Sequence, residues 1–260
     1  MIGCLLVPAT AFAQPRAELV TLPVREAVTQ TYLLVADPAV PVEQVVLLFS
    51  GGAGNVRLRP SSLDPTFAER GNFLVRTRYL WAQGGFASVV VDVPSDRAEL
   101  GMDDTFRAGR VHAADIARVI ADLGQRFPKV PLTLIGTSRG TVSAASIARQ
   151  LPGQFEKVVL TASLFVASRA GAGLSWFNYA SIRAPLLFVH HAEDGCPQTP
   201  YYSAKRLAET YTLITVSGGR PPESGPCDPL AAHGFFGQEA QTVEAVKNWI
   251  RGRAFATQIP

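Results

Sequence analysis

Apolar residues fall along this chain in short unbroken runs, and between the runs they recur every three or four positions. The runs at residues 17–24, 30–37, 43–50, 86–93, 131–135, 156–163, 184–191 and 211–217 read as strands, several of them apolar at nearly every position. Helical spacing appears near residues 73–83, over 106–127 with Val111, Ile116, Ile120 and Leu123 along one side, and over 139–151, 204–210 and 239–253. A strand that is apolar on both sides must be covered on both sides. Such strands alternating with helices therefore predict an α/β fold, a mostly parallel sheet with helices on both faces. The segment 164–183 breaks the rhythm between two strands. It is too short for a second domain and reads as a small lid or an excursion near a site. No internal repeat or low-complexity stretch interrupts the rest.

The length of 260 residues suits one such α/β domain, taken here as residues 14–260, and the 47% apolar content allows a large core. The net charge of +3 is spread along the chain without a basic run. A nucleic-acid footprint needs clustered Lys and Arg, so nucleic acid is not the expected partner.

The first residues, MIGCLLVPATAFAQ, stay apolar up to Ala11-Phe12-Ala13 and turn polar at Gln14. This is the pattern of a secretory signal peptide cut after Ala13, and it predicts an exported, periplasmic or secreted protein. The positively charged n-region is missing, which fits a start inside a longer signal, and a buried first strand is the alternative reading. Cys4 stands too near the start for a lipoprotein cysteine. No other stretch is long and apolar enough to span a membrane. Cleavage after Ala13 would leave Cys196 and Cys227, an even pair that in an exported protein suggests a disulfide. No CxxC, HExxH or Cys/His cluster with zinc spacing is present, so neither a metal nor a cofactor is expected.

The chemistry centres on LTLIGTSRGT, residues 132–141. An apolar strand runs into Ser138, with Gly136 two residues before and Gly140 two residues after, and a helix follows. A serine at such a junction sits on a sharp turn where neighbouring side chains would collide, and glycines relieve the crowding. The bare GxSxG motif is weak, and its strand-to-helix setting is what strengthens it. The alternative is a helix-capping serine in an ordinary βα turn.

On these residues the chain resembles the α/β-hydrolase family, from the strand ending at Ser50 to the last helix. The resemblance implies a Ser138 nucleophile followed along the chain by an acid and then a histidine. Of the four histidines, His112 precedes the serine in a helix, and His190 and His191 end a strand. His233, between the last strand and the last helix, occupies the family's place for the base. The acid should follow the strand 184–191, where Glu193 and Asp194 stand. Asp194, before Gly195, is preferred, Glu193 is the alternative, and Asp92 after an earlier strand is more distant. Two backbone N–H groups should receive the oxyanion: that of Arg139, and that of Gly52 in SGGAG. Many family members carry His-Gly where this chain has Ser50-Gly51, which leaves the second donor open. The Arg139 side chain is expected to turn aside into a salt bridge rather than to greet an anionic substrate. Trp176, Phe177, Tyr201 and Tyr202 are candidates for an acyl pocket or for the core.

The implied activity is a serine hydrolase acting on carboxylic esters or related acyl compounds, with a small-molecule acyl substrate as its partner. Acyl transfer and a non-catalytic binding protein on the same fold are the alternatives. In this fold the acid and base loops must meet, which brings Cys196 and Cys227 together.

Overall fold

Residues 15–61 and 69–260 are described by a computed structural model of the chain. The expected export signal, residues 1–13, lies outside them. The strands are β1 (Arg16–Arg25), β2 (Val28–Ala36), β3 (Gln44–Phe49), β4 (Phe86–Pro94), β5 (Leu132–Thr137), β6 (Lys157–Thr161), β7 (Leu186–His191), β8 (Thr212–Val216) and β9 (Gln258–Ile259). They form one sheet in the order β1-β2-β4-β3-β5-β6-β7-β8-β9. The β1–β2 and β2–β4 pairs are antiparallel, and every pair from β4 to β9 is parallel.

The continuous apolar runs are the interior strands. All nine residues of β4 and all six of β5 are buried. Alternation along β3 explains why both faces need cover: Val45, Leu47 and Phe49 enter one core cluster, and Val46 and Leu48 enter the other. Helices α4 (Arg110–Arg126) and α5 (Gly140–Gln150) close the first side. Helices α1 (Phe73–Arg76), α2 (Arg78–Trp81) and α7 (Glu239–Ile250) close the second. Helix α6 (Tyr201–Leu207) packs against β7 and β8. None of the described helices is long and apolar enough to cross a membrane.

Four details differ from the sequence expectation. The single helix expected near 73–83 is two turns, α1 and α2, separated at Thr77. The Thr77 hydroxyl donates to the Phe73 carbonyl at 2.6 Å and accepts from Trp81 Nε1 at 3.0 Å. A threonine bonded back to the preceding turn bends a helix. The helix expected over 106–127 is likewise divided, into α3 (Asp104–Ala108) and α4, because Gly109 is extended, with φ −77° and ψ 157°. Val111 is 46% exposed rather than on the buried face. It lies five residues before Ile116, about 140° around the helix, and the buried stripe runs instead through His112, Ile116, Val119 and Leu123. The two-residue strand β9, at Gln258–Ile259, has no apolar run to announce it. The irregular segment 164–183 holds no α-helix, so any lid is small.

Candidate active site

Strand β5 ends at Thr137, α5 begins at Gly140, and Ser138 turns the corner with φ 51°. A left-handed serine costs on the order of 1–3 kcal/mol and persists only when its surroundings hold it. They do so on both sides. Ser138 N–H donates to Thr161 O at 3.0 Å, and Ser138 O accepts from Thr141 N at 3.0 Å and from Thr141 Oγ1 at 2.6 Å.

The flanking glycines are dictated by space. A Cβ on Gly136 would stand 2.4 Å from Gly140 O, and one on Gly140 would stand 2.0 Å from Phe49 O. Both obstacles are backbone and cannot swing away. Gly140→Ala is therefore expected to lose more than about 3 kcal/mol of unfolding free energy in urea titration, the size of a severe core defect. A variant as stable as the parent would show that the turn has room the structure denies it.

Asp194 follows the end of β7, and its carboxylate is fully buried. Its Oδ1 accepts from Cys196 N at 3.0 Å. Its Oδ2 accepts from Thr199 Oγ1 at 2.8 Å and lies 3.0 Å from His233 Nδ1. Thr199, itself fully buried, also stands 3.2 Å from His233 Nδ1. No signal in the sequence pointed to Thr199. His233 sits on the single turn Ala232–Gly234, where a Cβ on Gly234 would stand 1.9 Å from Pro229 O.

The rival groups are engaged elsewhere. Glu193 accepts from Gly218 N at 3.2 Å beside His191, with its side chain 63% exposed. Asp92 accepts from the backbone N–H groups of Val56, Arg57, Leu58 and Val93, and so shapes a loop. Burial raises its pKa above the ordinary carboxylate value, against those four bonds. His112 is fully buried beside Ser143, with its pKa lowered to about 3 by burial and then by the Arg107 charge. His190 accepts from Ser163 N–H at 2.8 Å, and burial lowers its pKa to about 3 as well. Neither takes up a proton near neutrality.

Ser138 and His233 line one cavity of about 250 Å³, together with Gly51, Gly52, Phe73 and Pro229. Glu69, Asn72 and Asp228 add polar groups to its wall, and no described lining residue is cationic. A cavity of about 270 Å³ beside Asp92 is as large but brings no serine and histidine together. Trp176, Phe177, Tyr201 and Tyr202 are not among the described lining residues. Trp176 is 95% exposed, Phe177 borders a separate cavity, and Tyr201 bonds Thr215. Among the described residues the phenyl ring that lines the cavity is Phe73, which sequence periodicity marks only as part of a helix.

Gly52 turns with φ 55° on the cavity wall. Its N–H and that of Arg139, at the start of α5, have no acceptor among the described residues. The Arg139 side chain leaves the cavity, pairing with Asp104 at 3.2 Å and reaching Ser168 Oγ at 3.4 Å.

Cys196 and Cys227 form a disulfide with Cα atoms 4.6 Å apart. It ties the Asp194 loop to the segment leading to His233. With the cysteines 31 positions apart in the sequence, the chain-entropy account gives about 3–4 kcal/mol of stabilisation. The double variant Cys196→Ser/Cys227→Ser is expected to lose that amount in denaturant titration, and an unchanged midpoint would contradict the estimate.

No protein-family model matches the chain, and no curated protein sequence matches it. Solved structures do. A dienelactone hydrolase from Anabaena variabilis superposes with a TM-score of 0.60 at 14% identity, over 92% of this chain and 99% of that one. Est1E from Butyrivibrio proteoclasticus, in its ferulic-acid-bound form, gives 0.62 at 12% identity, over 90% and 98%. A prolyl endopeptidase gives 0.59 at 14% identity, and this chain spans only 39% of that longer protein while 92% of this chain is covered. The sheet order, the strand-to-helix serine turn and these superpositions give the chain the α/β-hydrolase fold.

Proposed function

We propose that the chain is a serine hydrolase that cleaves small carboxylic esters through an acyl-enzyme on Ser138. The observation that carries this reading is the shared cavity of Ser138 and His233, with His233 Nδ1 held by the buried Asp194 carboxylate. Asp194 keeps the proton on Nδ1, which leaves Nε2 free to accept a proton from Ser138. The serine oxygen then attacks the ester carbonyl. The N–H groups of Gly52 and Arg139 receive the charge that develops on the carbonyl oxygen. His233 returns the proton to the leaving alcohol. Water, deprotonated by the same histidine, releases the acid. The polar cavity of about 250 Å³ favours a short acyl group over a long lipid chain. The esterases among the structural neighbours support this choice of chemistry. The Cys196–Cys227 disulfide supports export to an oxidising compartment.

Rapid mixing with p-nitrophenyl acetate is the direct assay. The expected trace is a burst of nitrophenol approaching one equivalent per protein, followed by slower steady turnover. Release no faster than in buffer would reject the activity.

A further inference from the structure

Arg107 is fully buried, yet no carboxylate lies within ion-pair distance of it among the described residues. Asp103 and Asp104 act on it only at longer range. Burial, reinforced by the Arg139 charge, lowers its pKa to about 9. A buried guanidinium without a paired acid is a liability for stability that a packed apolar side chain would avoid.

Its hydrogen bonds show what it holds. Nη2 donates to the carbonyls of Ser50 and Gly52, each at 3.3 Å. Nη1 donates to Ser143 Oγ on α5 at 2.9 Å, and Nε donates to Met102 O at 3.3 Å. A peptide unit is planar and points its N–H opposite its C=O. Fixing the Ser50 and Gly52 carbonyls therefore fixes the peptide units on either side of the Gly51–Gly52 unit. The carbonyl of that middle unit is held by Gly54 N–H at 3.1 Å. Gly52 N–H then has one direction left, away from these anchors. Gly54 turns with φ 81°, which favours glycine, and a Cβ there would also stand 2.6 Å from Arg107 Nη2. Through Ser143 the same guanidinium grips α5, whose first turn presents Arg139 N–H. One side chain thus links the two backbone pieces that carry the two free donors.

We propose that Arg107 is a positioning residue: it sets the Gly52 loop against α5 so that both N–H groups converge on the oxyanion of the reaction. This rests on the ester-hydrolase reading of the cavity. A residue acting this way serves the transition state and leaves substrate binding nearly untouched.

The test measures kcat and KM for p-nitrophenyl acetate and the inhibition constant of a trifluoromethyl ketone, whose adduct carries an oxyanion. The proteins are the parent, Arg107→Met, Arg107→Lys and Ser143→Ala. Arg107→Met is expected to lose about 100-fold in kcat with KM little changed, comparable to losing one oxyanion donor. The ketone should weaken by a similar factor. Arg107→Lys, which keeps the charge but not the fork, should recover part of both. If Arg107→Met does not fold, Ser143→Ala decides, with a several-fold loss in kcat and in ketone affinity together. A folded Arg107→Met with parental kcat overturns the proposal. So does a loss of kcat, in whichever variant is read, without matching weakening of the ketone. A parent protein without esterase activity would instead reject the hydrolase reading, which separates the two failures.

Discussion

Ser138→Ala is expected to lower ester turnover by about 10⁴–10⁶-fold, the usual cost of removing a nucleophile from a cooperating serine–histidine–acid unit. The fold should survive. Alanine fits wherever the Ser138 Cβ already fits, and no described hydrogen bond of the turn uses the serine hydroxyl: its anchors are Ser138 N–H to Thr161 and Ser138 O to Thr141. Losing the hydroxyl removes the atom that would carry the acyl group, while the cavity and the N–H groups of Gly52 and Arg139 remain. A small residual rate above buffer is expected from those donors alone. The variant should therefore match the parent in its denaturation midpoint and differ in kcat. Parental turnover in a folded Ser138→Ala protein would move the chemistry elsewhere.

The second large effect is expected at Asp194. Both of its carboxylate oxygens accept: Oδ1 from Cys196 N, and Oδ2 from Thr199 Oγ1 beside His233 Nδ1. Asparagine has only one accepting oxygen. In one orientation its amide faces the Cys196 N–H, donor against donor. In the other it faces His233 Nδ1 and drives the ring proton to Nε2, the atom that must receive the serine proton. Asp194→Asn should consequently cost about 10³–10⁴-fold in kcat. Glu193→Gln should stay within about twofold, as for an exposed surface change, because the Glu193 carboxylate is turned to Gly218 N–H and His191. Steady-state kinetics on the two purified variants would reveal a reversed order, and that order would assign the acid one residue earlier.

Much of this arrangement is legible in the sequence, for identifiable reasons. Strands buried on both faces are apolar at most positions, so β3, β4, β5 and β7 announce themselves. Gly136 and Gly140 mark the turn because their neighbours are backbone atoms that admit no Cβ. His233 and the neighbouring acids Glu193 and Asp194 follow from chain order once the family resemblance is granted, and the structure brings Asp194 rather than Glu193 into contact with His233. What stays hidden depends on long-range packing. Thr199 reads as an ordinary loop threonine until Asp194 and His233 close around it. Arg107 reads as a polar residue in a helix, and only the tertiary fold brings it to Ser50 and Gly52, more than fifty residues earlier. Val111 reads as part of the buried stripe because it is apolar, but the break at Gly109 resets the helix just before it and leaves it exposed. Phe73, rather than any of the four candidate aromatics, lines the cavity, and helical periodicity alone does not mark which helix end meets a site.

The central claim is that Ser138 is an activated nucleophile. The most direct measurement is intact-protein mass spectrometry after brief exposure to a fluorophosphonate, followed by peptide mapping. One adduct per chain is predicted on the peptide containing Ser138, with none on Ser138→Ala and slow labelling of Asp194→Asn. An unlabelled parent, or a label that persists in Ser138→Ala, would contradict it.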